Sequence, residues 1–288
     1  MTTDLPAQAG RRCQHPLNLF HASVYFSPES AQELAALGIE DAHAAYLAVR
    51  SAALGAVGPG AVTAAFYNFN HELIARHLPA VWQIASPEQV LAARLRGADA
   101  TLRRLLGEDV VASDELAEAA GLALRATEAC TRQARPLYAA HADLPVPEAP
   151  HLRFWHAATL LREHRGDAHL AALLSAGLDP LEALVSHGAT GTGISRRWVL
   201  ATRGWEQSDW DAAAERLRKR GLLTDAGDLT DAGRSLRDEV EEHTDRLDAA
   251  PYEHLGTAGV DRLTALAKRL LATVAEAGAF PGTLTSRD

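Results

Sequence analysis

Residues 150–188, PHLRFWHAATLLREHRGDAHLAALLSAGLDPLEALVSHG, concentrate aromatic, histidine and arginine chemistry in an apolar frame. The stretch reads as three short helices. From Phe154 to Leu161 every side is apolar or small except at His156 and Thr159, which predicts a helix enclosed by protein. Arg162, Glu163, His164 and Arg165 then fill its last turn, Gly166 supplies a left-handed stop, and Asp167 caps the next helix. Two explanations fit this junction. In the first, Arg162 and Arg165 complement the carbonyl end of the helix while Glu163 and His164 face solvent. In the second, a buried helix delivers these side chains, with His169 one turn into the next helix, to a polar pocket for an anionic ligand.

The rest of the composition limits the function classes. The chain has 288 residues, 47% hydrophobic and 23% charged, enough for two domains with sizeable cores. Its formal net charge of −9 lacks the surplus that non-specific nucleic-acid binding draws upon. Two cysteines, Cys13 and Cys130, make neither a disulfide framework nor a zinc site, which fits a reducing cytoplasm. The opening MTTDLPAQAGRRC has no apolar core behind a basic segment, so it reads as a flexible tail over 1–16 rather than a secretory signal. The longest uncharged run, Ser51 to Asn70, is broken by Gly55, Gly58, Pro59 and Gly60, and no membrane span is expected.

Helix signals recur along the chain. SPESAQELAALG carries Ser27 as cap, Pro28 at the first position and Gly38 as stop. Asp41–Leu54 is a second helix, with Arg50 alone near its end. Gly60–Leu78 follows, and it places Tyr67, Asn68, Asn70, His71 and Glu72 together. The asparagines compete for backbone hydrogen bonds, so they mark either a break before a helix capped at Asn70 or a set of ligand contacts. Ser86-Pro87-Glu88 opens a helix to Leu106, and Ser113 to Tyr138 reads as one long alanine-rich helix. Three prolines in DLPVPEAP, 143–150, suggest a domain boundary. A loose repeat relates Arg50 and the following GAVTAAF to Arg162 and the following GDAHLAAL. It would set two arginine-bearing junctions face to face around one pocket.

Beyond Gly191 the pattern changes. In residues 204–247, GWEQSDWDAAAERLRKRGLLTDAGDLTDAGRSLRDEVEEHTDRL, Ser208 caps a helix to Arg220 and Gly221 stops it. LLTDAGDLT then makes a minimal hairpin, and Thr230 opens a long charged helix. Arg220-Gly221-Leu222 and Leu229-Thr230-Asp231-Ala232-Gly233-Arg234 resemble the winged helix-turn-helix of MarR-type regulators. The whole chain, through VYFSPE, TAAFYNFN, HLRFWHAATLLREHRGD and RGW, resembles an actinobacterial helix-turn-helix-like family of largely uncharacterised proteins. A more distant likeness is to the aziridine-forming protein of azinomycin biosynthesis. The resemblance implies a mainly α fold: an N-terminal helical domain (17–145) and a degenerate winged-helix domain (150–250) with a minimal β-hairpin wing, then a C-terminal helix and tail (251–288).

The residues argue against the usual use of such a fold. Along the candidate recognition helix, Glu206, Asp209, Asp211 and Glu215 balance Arg216, Arg218, Lys219 and Arg220. The acids occupy the N-terminal half, where helix-turn-helix proteins approach bases and phosphates. The wing tip, Asp225 to Asp228, offers two acids and no arginine. On a DNA-binding reading the contacts fall to Arg216, Arg218 and Lys219. No H-E-x-x-H, phosphate loop or nucleophile elbow is present, so no metal or cofactor is expected.

What remains is a small-molecule site for an anionic partner. Arg50, Tyr67, Asn68, Arg162, Arg165 and His169 are its candidate ligand contacts, and His156, Glu163 and His164 its candidate acid–base groups, with His21 nearby. The expected function is therefore binding of an anionic metabolite on a winged-helix-like scaffold, extending to acid–base catalysis of a substitution, cyclisation or elimination. The alternative is a MarR-like, ligand-responsive DNA-binding regulator. Leu263, Leu266, Leu270, Leu271 and Val274 form a helical apolar stripe that needs a partner, either the helix opened by Thr230 or a second subunit, and a homodimer is expected.

Overall fold

The computed structural model describes residues 5–6 and 8–280. The described chain is mainly α-helical and falls into two compact units. The first takes the chain up to Ala56, Val81–Asp167 and the chain from Asp245; the second takes Val57–Ala80 and Ala168–Thr244. Neither unit is continuous in sequence, and the proline-rich segment 143–149 lies inside the first.

In the first unit the helices Ala9–Ala22, Pro87–Leu106, Asp114–Thr127 and Ala250–Glu276 share one core with the first half of Pro150–Ser175. The apolar stripe of the C-terminal helix supplies Leu263, Leu266, Leu270 and Val274 to that core, each side chain contributing about 1.5–3 kcal/mol by leaving water. Cover for that stripe comes from its own chain, from Ala9–Ala22 and Asp114–Thr127. Residues 9–16 are correspondingly helix and not tail: Ala9, Cys13 and Pro16 are buried. At Gly10 an added Cβ would lie 2.6 Å from the Tyr252 ring, so only glycine lets that ring approach.

Several predicted helices form where their signals stand. Ser27 accepts from the Ser30 amide ahead of Pro28–Ala35, and Asp41 from Ala44 ahead of Ala42–Ser51. Ser86 and Gln89 complete a capping box at Pro87–Leu106. Asn70 likewise caps His71–His77, accepting from the Glu72 amide, so the asparagine-rich stretch is a helix break.

Three expectations change. Residues 113–138 hold two helices, Asp114–Thr127 and Pro136–Ala142, because Ala134 turns to φ 58 and Pro136 then starts afresh. Residues 150–175 form one 26-residue helix that passes through Gly166 without a stop. A glycine inside a helix costs about 0.5–1 kcal/mol, and the burial of Leu160, Leu161, Ala168 and Ala172 on either side outweighs it. Asp167 is thus no cap; its Oδ2 accepts from the Tyr138 amide at 3.0 Å.

The second unit packs Pro180–Gly188, Arg196–Thr202 and Gln207–Lys219 around Val199, Trp210, Ala213, Leu217 and Leu222. The helix expected to be capped by Ser208 is capped two residues earlier by Glu206, in a capping box with Asp209. The expected β-hairpin wing is reduced to a single Leu223–Leu229 bridge, with no strand among the described residues. Thr224 and Asp228 already turn the chain back, by a 2.8 Å bond from the Thr224 amide to the Asp228 carbonyl, which leaves no length for a ladder. Gly233 opens the next helix against this turn; a Cβ there would sit 2.1 Å from the Leu222 carbonyl oxygen.

Candidate functional site

Consecutive side chains on a helix point about 100° apart, so Arg162 to Arg165 cannot serve one site from an unbroken helix. They divide between two clusters of the first unit. Arg162 pairs with Glu163, and Arg50 reaches the same carboxylate at 3.6 Å from Ala42–Ser51. The two arginines related by the loose repeat do converge. On the other side, His164 Nδ1 lies 2.6 Å from Asp248, while Arg165 bonds Asp245 at 2.9 Å, which Arg11 also grips.

Of the remaining candidates, His156 is buried in the first unit, and Tyr67, Asn68 and His169 belong to the second. The Tyr67 hydroxyl donates to the Leu178 carbonyl, and the Asn68 carbonyl accepts from Trp205 Nε1 at 3.0 Å. His169 lies 2.9 Å from Thr244 Oγ1 and 4.0 Å from Glu241. These three hold local structure rather than joining the Arg50–Glu163–Arg162 group.

Sequence reasoning missed the residue on which that group turns. Arg94, on Pro87–Leu106, is 6% exposed and lies over Trp155, its guanidinium carbon 4.6 Å from the ring centroid. Its Nη2 donates to His21 Nε2 at 3.4 Å, which places the His21 proton on Nδ1 because a guanidinium only donates. His21 stacks on Trp155 with centroids 5.5 Å apart and meets the Tyr25 ring edge-on. Arg94 Nε and His21 Nδ1 are buried with no hydrogen-bond partner among the described residues. No carboxylate comes within ion-pair distance of Arg94 among them either.

The electrostatics follow from burial and from the gathering of Arg50, Arg94 and Arg162 near Glu163. Burial pushes the Glu163 carboxyl up, but Arg162 and Arg50 outweigh it and bring the pKa down to about 2. Burial also acts most strongly on Arg50, yet Tyr46 and Glu163 more than offset it and raise its pKa. For Arg94 burial wins and lowers the guanidinium below its ordinary value. Burial, reinforced by Arg94, brings both His156 and His141 down to about 4, and His21 falls well below its ordinary value. All three are neutral at pH 7. Asp167, one helical turn from Glu163, rises to about 7, chiefly by burial.

Beside the cluster opens a cavity of about 160 Å³. Val24, Leu34 and Val49 form much of its wall, Tyr25, Tyr46 and Trp155 add aromatic surface, and Arg94 is its one charged lining residue among the described residues. Gly97 keeps the wall thin: a Cβ there would come within 2.9 Å of the Ser30 backbone, so Pro28–Ala35 lies directly on Pro87–Leu106. The described residues bring together no group of three metal-ligating side chains.

The second unit's basic residues are differently engaged. Arg216 binds Asp179 at 2.6 Å and Glu182 at 3.2 Å, and Arg220 binds Glu182 at 2.7 Å. Arg218 reaches the Thr224 carbonyl and Glu215, and Lys219, largely exposed, lies 3.7 Å from Glu215. Arg234 folds back on Asp231 and the Leu229 carbonyl.

A mainly α-helical protein with a buried arginine cluster is thus the class of molecule in view. Residues 10–281 match the model of a helix-turn-helix family, and the chain belongs to that family. No curated protein and no solved structure matches it. Among the described residues no single helix is long and apolar enough to cross a membrane.

Proposed function

We propose that this chain binds a small anionic molecule at the Arg50–Arg94–Arg162 cluster of its first unit, with the second unit a degenerate winged helix. The observation that carries the reading is Arg94: a guanidinium buried to 6% exposure, lining a cavity, with Nε unpartnered and no carboxylate within ion-pair distance among the described residues, so that burial outweighs the attraction of Tyr25 and Glu163. Burying an unmatched charge costs several kcal/mol, and an anion from outside the chain removes that cost. Arginine's planar fork suits carboxylate, sulfate or phosphate. His156, neutral and nearly buried, is the group available as a base should the bound molecule react.

Thermal melting with acetate, benzoate, sulfate and phosphate tests the reading. At a hundred times its dissociation constant, a bound anion adds about 2.7 kcal/mol to wild-type stability. Arg94→Gln is expected to fold and lose that gain, whereas Arg165→Gln keeps it, because Arg165 serves Asp245. No stabilisation by any of the anions, or equal stabilisation of Arg94→Gln, would overturn the proposal.

The DNA-binding alternative draws on the family and on the helix pair Arg196–Thr202 and Gln207–Lys219. The engagement of Arg216 and Arg220 by Asp179 and Glu182 supports ligand binding over it, because phosphate contact would have to displace existing ion pairs.

A further inference from the structure

The ligand can be specified further by what the cavity offers and withholds. Its volume of about 160 Å³ is close to that of an apolar cavity able to hold benzene, about 150 Å³. The walls contributed by Val24, Leu34 and Val49, with the Trp155 and Tyr25 rings, suit a ring or a branched chain. The hydroxyls of the lining, on Ser27, Ser30, Tyr25 and Tyr46, are fewer than the hydration shell that an inorganic oxyanion would lose, and Ser27 is already bonded to Val24 and Ser30. A wholly apolar guest has the opposite defect, because it brings no counter-charge to Arg94 and no acceptor to its Nε. A single charged lining residue matches a single negative charge.

We propose that the site takes a compact apolar monocarboxylate, with its ring or branched chain in the cavity and its carboxylate on Arg94. This rests on the anion-binding reading above and narrows it. The guanidinium is already held in plane by Trp155 at 4.6 Å and His21 at 3.4 Å, so little rotamer freedom remains to be lost on binding. His21, neutral with its proton on Nδ1, adds no second positive charge and so does not favour a dianion.

Calorimetric titration of the full chain at pH 7 with benzoate, benzamide, acetate and inorganic phosphate tests this. Benzoate is expected to bind at least about tenfold more tightly than isosteric benzamide, which lacks the charge. It is also expected to bind at least about tenfold more tightly than acetate, which lacks the ring. Arg94→Gln should abolish the preference for benzoate over benzamide. Ala42→Leu, filling the cavity from a different helix, should weaken benzoate while leaving acetate unchanged. Phosphate or acetate binding as tightly as benzoate, and lost in Arg94→Gln, would overturn the monocarboxylate assignment and leave the anion site standing. Benzamide equalling benzoate would remove Arg94 as the selecting group. Heat from none of the anions would overturn both readings.

Discussion

Glu163 is the residue whose loss the first unit should tolerate least. It is 3% exposed, and Arg50 and Arg162 both depend on it. Glu163→Gln keeps the shape but removes the carboxylate that both guanidiniums reach, and removing one partner of a buried ion pair costs about 3–5 kcal/mol. Urea unfolding should show a loss of that order; a change under about 1 kcal/mol would mean that the cluster is solvated and its charges screened. Asp167 gives a second test, in pH. Its carboxyl titrates near 3.8 when unfolded and near 7 in the fold, so the folded state alone keeps the proton between those values. Stability conferred by the neutral form is complete at pH 4 and is lost as pH rises to 7. Relative to Asp167→Asn, the wild type should therefore lose about 1.4 kcal/mol per pH unit across that window and run parallel above it. Profiles that are parallel from pH 4 upward would contradict the burial of this carboxyl.

At the scale of the element, the helix Pro150–Ser175 shows what local signals can and cannot say. Ser27, Asn70 and Ser86 were legible as caps because a cap is decided within three residues. Gly166 was misread because its cost is small and the burial on either side of it is long-range. An added methyl at Gly166 would meet only Glu163 Oε2, at 3.8 Å. Gly166→Ala is therefore expected to raise stability by about 0.5–1 kcal/mol in chemical denaturation, whereas a true helix stop would be destabilised. The unbroken helix also explains the divided site: Arg162 and Glu163 join Arg50, and His164 and Arg165 turn to Asp248 and Asp245. Arg94 did leave a trace in the sequence. Val90, Arg94, Gly97, Thr101 and Leu105 recur at helical spacing and are all buried, so one arginine stands in an otherwise uncharged stripe while Leu95 beside it is exposed. That the aromatic neighbours Tyr25 and Trp155 meet it there is a matter of tertiary packing, which no local pattern encodes.

For the whole molecule, the mainly helical class and the helix-turn-helix family were readable from periodicity and motifs, while the two compact units were not. Each unit is assembled from separated segments, and a proline-rich stretch marks a flexible-looking sequence, not the places where contacts thin out. The wing was overestimated because Gly and Asp signals specify a turn without specifying a ladder. The acidic net charge of −9 and the internal ion pairs of Arg216 and Arg220 lead to one expectation for the full chain. At physiological salt it should show no sequence-selective DNA binding in gel shift or genomic footprinting. A reproducible footprint weakened by Arg218→Ala and Lys219→Ala would establish the regulator instead.

The buried, unmatched charge of Arg94 is the centre of this account, and a crystal grown in bromide salt addresses it directly. Bromide is a monoanion small enough for the cavity and is seen by its anomalous scattering. An anomalous peak is expected in contact with the Arg94 guanidinium and absent in Arg94→Gln crystals grown the same way. Bromide found only on exposed surface cations, with the space beside Arg94 holding water or closed by a carboxylate of the chain itself, would contradict it.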